Sequence, residues 1–278
     1  MRPALPALLL GAVFIALSPI FVRLSEAGPT ATAFWRVALA VPVLLPFFRL
    51  PLKGPKWLFI VAGIAFAGDL AFWHQAIRFT SVANSTLLAN LASIFVTLAA
   101  WALWRERPRP LFLVALALAL GGVALLVHTS LSFSRTALLG DALGVVTAMF
   151  YAWYILAVKG LRDRGAATLQ VMAVTSTLTA AILLPAALAS GEPMLPATAY
   201  GWSILVGLAL VSHAAGQGLI AYALAHLPAP FSSVGLLLQP VVAACFAWLL
   251  LAEPVVALQI AGGLVVLVAI WLARRASG

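Results

Sequence analysis

Ten apolar runs, each about long enough to cross a bilayer as a helix, follow one another along this chain. A hydrocarbon core takes roughly 20 helical residues to span. Runs bounded by proline, glycine and charge lie near 4–24, 30–49, 57–79, 82–104, 110–127, 137–159, 168–188, 200–225, 230–251 and 255–273. Their apolar character is continuous, which favours helices over barrel strands, since the latter alternate in segments of about 10 residues. The connections leave no room for a soluble domain. Composition agrees: 64% of the 278 residues are apolar and 8% charged, with a mean hydropathy of +1.13. A soluble domain carries roughly 25% charged residues. Sixteen Lys/Arg, seven Asp/Glu and four His cannot coat a water-facing body of 29.1 kDa. Ser25-Glu26-Ala27 has the look of a signal-peptidase site, but the run before it is long and holds Pro19 and Arg23. The first run is therefore expected to stay as a helix.

The formal charge of +9 does not point to nucleic acid, because the basic residues sit in short clusters between apolar runs. With the N-terminus inside and ten alternating spans, one face holds Arg2, Arg49, Lys53, Lys56, Arg105, Arg107, Arg109, Lys159, Arg162, Arg164, Arg274 and Arg275. The other face holds Arg23, Arg78 and Arg135, and Arg36 falls within a span. By the positive-inside rule both termini are expected in the cytoplasm, with a bacterial inner membrane as the expected location. The single cysteine, Cys245, lies in an apolar run, so no intramolecular disulfide can form and it reads as a packing residue.

A repeat is visible at a spacing of 147 residues. Ala100-Trp101-Ala102-Leu103-Trp104-Arg105-Glu106 recurs as Ala247-Trp248-Leu249-Leu250-Leu251-Ala252-Glu253; Ala67 meets Ala214, Ala76 meets Ala223, and Ser85 meets Ser232. The halves are read as 1–130 and 131–278. Five spans per half is odd, so the two halves enter the membrane from opposite sides. Inverted repeats of this kind build transporters that alternate access around a midplane site. The fold expected is therefore an all-α integral membrane protein of ten helices, two inverted five-helix repeats around a central cavity. Glu106 would end on the inner face and Glu253 on the outer.

Ten helices, with a fourth helix ending W-x-L-x-x-E-x-P at Trp101–Pro108, resemble the drug/metabolite transporter superfamily, in its EamA-type branch. The resemblance extends over essentially the whole chain. It rests also on Phe34-Trp35-Arg36, on Gln239-Pro240-Val241, and on Glu253-Pro254 through Gln259 and Ile260 to Gly262-Gly263. It implies export of amino acids and other metabolites. It implies too that helices one, three, four, six, eight and nine surround the cavity, with five and ten at the periphery. Among relatives the aromatic-rich character is most similar to exporters of aromatic amino acids. Ser93 stands where the second half has Pro240, which puts a symmetric gating kink in doubt.

Polar residues in mid-run mark a candidate path. Asp69 is the one acid well inside a span; it reads as a proton carrier, a contact for a substrate amine, or a structural acid bonded to neighbouring helices. Trp73 follows at i+4 on the same face, then His74, a titrating partner or a packing residue, and Gln75. Helix four carries Thr86, Asn90, Ser93 and Thr97 in one stripe, which lines a wet cavity or bonds helix to helix. Helix six offers Thr147, Tyr151 and Tyr154 with Trp153 beside them, as stacking faces or an interfacial belt. Helix eight has His213 and Gln217 at i,i+4, with Tyr222 near its end; helix nine has Ser232, Ser233, Gln239 and Pro240. Pro240 and Pro19, the latter after Ser18, are hinge candidates, since each frees a backbone carbonyl in the membrane. Arg36 reads first as structural, either snorkelling or paired with Glu26 or Asp141, and second as a contact for a substrate carboxylate.

No nucleotide-binding loop, metal-spaced cluster or nucleophile elbow is present, so no cofactor, metal or enzyme activity is expected. A secondary transporter is favoured over a membrane enzyme, which should cluster catalytic groups at one interface, and over a channel, which should be polar from face to face. The expected partners are the bilayer and a small molecule, best a zwitterion or weak base with an aromatic or apolar side chain. The sequence does not choose between a monomer and a homodimer, nor between proton coupling, exchange and facilitated diffusion.

Overall fold

In lipid every backbone N–H and C=O must be satisfied within the protein, and the described chain answers with helices throughout. The computed structural model describes residues 3–49, 51–80, 82–105, 107–128, 135–251 and 256–277, with no strand among them. Among the described residues, nine helices are long and apolar enough to cross a membrane, and we number them with the shorter one in chain order. They are α1 (Ala4–Leu24), α2 (Pro29–Arg49), α3 (Lys56–Phe79), α4 (Ser85–Leu103), α5 (Pro110–Leu126), α6 (Leu138–Asp163), α7 (Thr168–Ala189), α8 (Ala199–Ala223), α9 (Ala229–Leu250) and α10 (Ala257–Ala276). Glu106, Glu253 and Pro254 lie outside the described residues.

The pairing of helices carries the repeat into three dimensions. The main contacts are α3 with α6 and α8 with α1, α4 with α6 and α9 with α1, α3 with α7 and α8 with α2, α2 with α7, α4 with α9, and α5 with α10. Moving every helix number by five turns this set into itself, which is what two interleaved five-helix repeats require. Lipid gives no hydrophobic drive between helices, so close approach relies on small residues. A Cβ added at Gly122 would stand 2.8 Å from the Gly262 carbonyl oxygen, and one at Gly262 would stand 2.6 Å from that of Gly122. These glycines let α5 and α10 touch backbone to backbone. The outer faces of the pair, with Leu113, Leu118, Leu264, Leu267 and Trp271, are exposed and suit lipid. On α1 the buried positions Ala4, Leu8, Ala12 and Ile15 share one face, and Gly11 lets the α8 backbone approach.

Several helices are interrupted in mid-membrane. α1 turns at Ala16–Leu17, just ahead of Ser18-Pro19, where Pro19 has no N–H to give the carbonyl one turn back. α9 breaks at Leu236–Leu237, where the Leu237 N–H donates to Val234 O at 3.1 Å and Gln239 N–H to Leu236 O at 2.9 Å. α4 breaks at Asn90–Leu91 although no proline is near, with Leu91 N–H donating to Leu88 O at 3.0 Å. The Ser93 hydroxyl takes up the Asn90 carbonyl at 2.9 Å, supplying from a side chain the hydrogen bond the broken turn lacks. At the 147-residue spacing the two breaks agree within one residue, so the kink is symmetric despite Ser93 standing where Pro240 stands. In α8, Leu208–Gln217 is wound as a π-helix, a form often found at functional sites.

Ten alternating spans bring both termini to one end of the bundle. At the opposite end, residues 190–198 between α7 and α8 strap onto the first half. The Glu192 carboxylate accepts from the Thr30 N–H at 2.8 Å and from Arg78 Nη1 at 2.9 Å. Gly28 N–H donates to Pro193 O at 2.8 Å, and Trp35 Nε1 to Met194 O at 2.8 Å. Thr198 gives its hydroxyl and its N–H to Glu26, at 2.5 and 2.9 Å, and these bonds hold the Glu26 carboxyl below its ordinary range.

Candidate functional site

The helix breaks and the π-turn converge on one cavity, about 660 Å³ counting the space at its mouth. Ligand sites are commonly concave and largely apolar, with a few placed polar groups. α1 contributes Ile15, Ala16, Ser18 and Pro19 from its break; α2 contributes Arg36; α3 contributes Asp69, Leu70 and Trp73. α4 contributes Thr86, Ala89 and Asn90, α6 Tyr151, α8 Gln217, and α9 Gln239, Pro240 and Ala243. A straight α4 or α9 would present a continuous wall here. The turns at 90–91 and 236–237 instead set Asn90 and Gln239 where their amides reach inward.

Six of these wall residues hold a buried polar atom with no protein hydrogen-bond partner: Ser18 Oγ, Arg36 Nε, Asn90 Nδ2, Tyr151 Oη, Gln217 Oε1 and Gln239 Nε2. Gln217 and Gln239 both stand beside the Tyr151 hydroxyl, but none of the three closes a hydrogen bond of full geometry. Buried polar groups are partnered in the great majority of cases. Six such groups around one space are donors and acceptors held ready for something the protein does not itself supply. Behind them lies an aromatic layer. Tyr151 stacks toward Tyr154 at 6.1 Å, Tyr154 on Phe66 at 4.6 Å, and Phe66 on His213 at 5.3 Å.

Of the residues picked out in the sequence, Asp69, Trp73, Asn90, Tyr151, Gln217, Gln239, Pro19 and Pro240 share this wall. His74, Ser93, Tyr154 and His213 stand elsewhere, each against a neighbour, with His74 Nε2 and His213 Nδ1 buried and unpartnered. His74 is fully buried, its Nδ1 2.7 Å from Leu70 O and its ring edge-on to Trp73. Ser93 bonds within α4, as does Thr97, whose hydroxyl donates to Ser93 O at 2.7 Å. The polar stripe of α4 is thus divided: Thr86 and Asn90 face the cavity, Ser93 and Thr97 their own helix. Tyr154 is 1% exposed in the aromatic layer, and His213 meets Ser176 Oγ at 2.8 Å on α7. Thr147 donates to Leu143 O, and Trp153 is turned outward.

Arg36 departs from its sequence reading. Glu26 is taken by Thr198, and the acid acting on the guanidinium is Asp69, which lines the same cavity. The cavity wall therefore includes α2 as well as the six helices expected. The signal available was the Phe34-Trp35-Arg36 run. Trp35 is fixed to Met194 O and rests edge-on against Trp202, which orients the next residue inward.

Residues 2–128 and again residues 138–275 match the EamA-like transporter family. An uncharacterized transporter of Archaeoglobus fulgidus is 29% identical over 270 residues, covering 91% of each chain. The pseudopaline exporter CntI of Pseudomonas aeruginosa is 30% identical over 223 residues, covering 80% of this chain and 76% of that one. One solved crystal structure superposes with a TM-score of 0.83 at 14% identity, over 100% of this chain and 98% of the other, a likeness of fold.

Proposed function

The chain belongs to the EamA-like transporter family, and from that premise we propose that this membrane transporter exports small zwitterionic metabolites, amino acids with aromatic or apolar side chains above all. The observation that carries the substrate reading is the set of six buried, unpartnered polar atoms on residues that line one cavity, with Trp73 beside them. Such a wall suits a molecule that hydrogen-bonds at one end and packs at the other. Arg36 is the one cation among the cavity residues and Asp69 the one acid, so a polyanion such as a sugar phosphate would lack neutralising partners. Stacking and burial of one ring against Trp73 or Tyr151 would contribute on the order of 1–3 kcal/mol. The relative named as an exporter supports the outward direction.

The working cycle follows from the repeat. The halves 1–130 and 131–278 rock about the cavity, with the α1 break at Pro19 and the α9 break near Pro240 as hinges, so that the site opens to one face and then the other. The distribution of Lys and Arg supports an orientation with both termini in the cytoplasm of a bacterial cell. Proteoliposomes loaded with unlabelled amino acid should accumulate labelled phenylalanine by counterflow, with leucine and tryptophan competing and glucose 6-phosphate not. Flux that persists without internal amino acid and does not saturate would indicate a pore instead. Failure of every amino acid tested to compete would overturn the substrate class.

A further inference from the structure

We propose that Arg36 and Asp69 are the specificity-determining residues of the cavity, each taking one end of a zwitterion and each neutralising the other when the cavity is empty. The inference rests on the transporter reading above and goes beyond it by assigning the two charges. Arg36 is 5% exposed, on α2; Asp69 comes from α3; both line the cavity, and each acts on the other through its charge. Neither is tied off elsewhere: Arg36 Nε has no protein hydrogen-bond partner, and the acids near the ends of α1 and α2, Glu26 and Glu192, are spent on Thr198 and on Thr30 and Arg78.

A wall with one fixed cation and one fixed anion sums to zero. A buried charge without a partner is costly where water is scarce. A cargo carrying one net charge would leave the occupied cavity with an uncompensated ion. A zwitterion leaves it neutral, with its carboxylate at the guanidinium and its ammonium at the carboxylate. The neutral groups complete each shell. Asn90 Nδ2 and Gln239 Nε2 are free donors for the carboxylate, and Gln217 Oε1 and the Tyr151 hydroxyl are acceptors for the ammonium. The pair is also an addition to the symmetric scaffold. At the 147-residue spacing Arg36 meets Leu183 and Asp69 meets Gly216, so both charges belong to the first half, while most of the neutral groups come from the second.

Three probes that differ only in charged groups test this in proteoliposome counterflow: phenylalanine, phenethylamine without the carboxylate, and 3-phenylpropanoate without the ammonium. Wild-type protein should prefer phenylalanine to either by about tenfold or more, the usual size of a lost charge-assisted contact. Arg36→Gln should erase the preference over phenethylamine and keep that over phenylpropanoate; Asp69→Asn should do the reverse. The double variant leaves no uncompensated charge, guards against misfolding of the single ones, and should treat the three probes alike. Equal weakening of all three probes in both single variants, or a double variant that keeps the wild-type preference, overturns the charge assignment while the exporter reading stands. Wild-type protein that moves none of the three overturns the aromatic amino-acid reading on which the assignment rests.

Discussion

Tyr151 combines a ring and a hydroxyl whose contributions substitution can separate. The ring stands toward Tyr154, and the hydroxyl ends in the cavity between Gln217 and Gln239. Tyr151→Phe removes one polar group and should weaken transport only a few-fold, about 1 kcal/mol. Tyr151→Ala removes the face as well and should cost aromatic solutes a further ~1–3 kcal/mol, with small polar solutes much less affected. Competition with tryptophan and with serine measures the difference, and equal losses for both would leave the ring without a role. The eight wall residues legible in the sequence share one property: a polar group or a proline in the middle of an apolar run. What the sequence does not show is the direction a side chain takes. His74 and Ser93 have acceptors on their own helix, His213 has Ser176, and Tyr154 has Phe66, so each is turned to a neighbour and none lines the cavity, although one ring nitrogen of each histidine stays unpartnered. Arg36 was hidden for the converse reason. Its position near a helix end fits snorkelling equally well, and only the packing of Trp35 decides.

At the level of elements, the ten spans follow from apolar length alone, and the α1 break from Pro19. The α4 break and the π-turn of α8 do not, because no residue there forbids a straight α-helix; tertiary packing selects them. The α4 break makes an unusual substitution tolerable. Ser93→Pro gives up the 3.3 Å N–H bond and the 2.9 Å hydroxyl bond to Asn90 O in a turn already open, so it should cost about 1–2 kcal/mol, still short of a proline in a helix interior. Ala99→Pro, two turns further into unbroken helix, should cost about 3 kcal/mol or more. Thermal unfolding of the two variants in detergent compares them. A Ser93→Pro protein as unstable as Ala99→Pro would show that the α4 turn is a regular helix in the membrane.

For the whole molecule, the count of Lys and Arg predicts orientation: a reporter fused after residue 277 should be active in the cytoplasm, and one placed in the 128–136 segment outside it. The reverse pattern would put the strap at 190–198, which lies at the end away from the termini, on the cytoplasmic side. Phe66 and His213 bear on the same motion. They are equivalent positions, 147 residues apart, and their rings stack on one another at 5.3 Å. Two equivalent points in contact must lie beside the axis that exchanges the halves. If the halves trade conformations in each cycle, that ring pair is a fulcrum: the exchange carries it into itself, so its packing can persist throughout. Contacts off the axis have no such immunity and must be made at one end as they are broken at the other. The resting tilt of the beam is then set by what weighs on its arms, above all the grip of Glu26 and Glu192 at the far end, and hardly at all by the pivot.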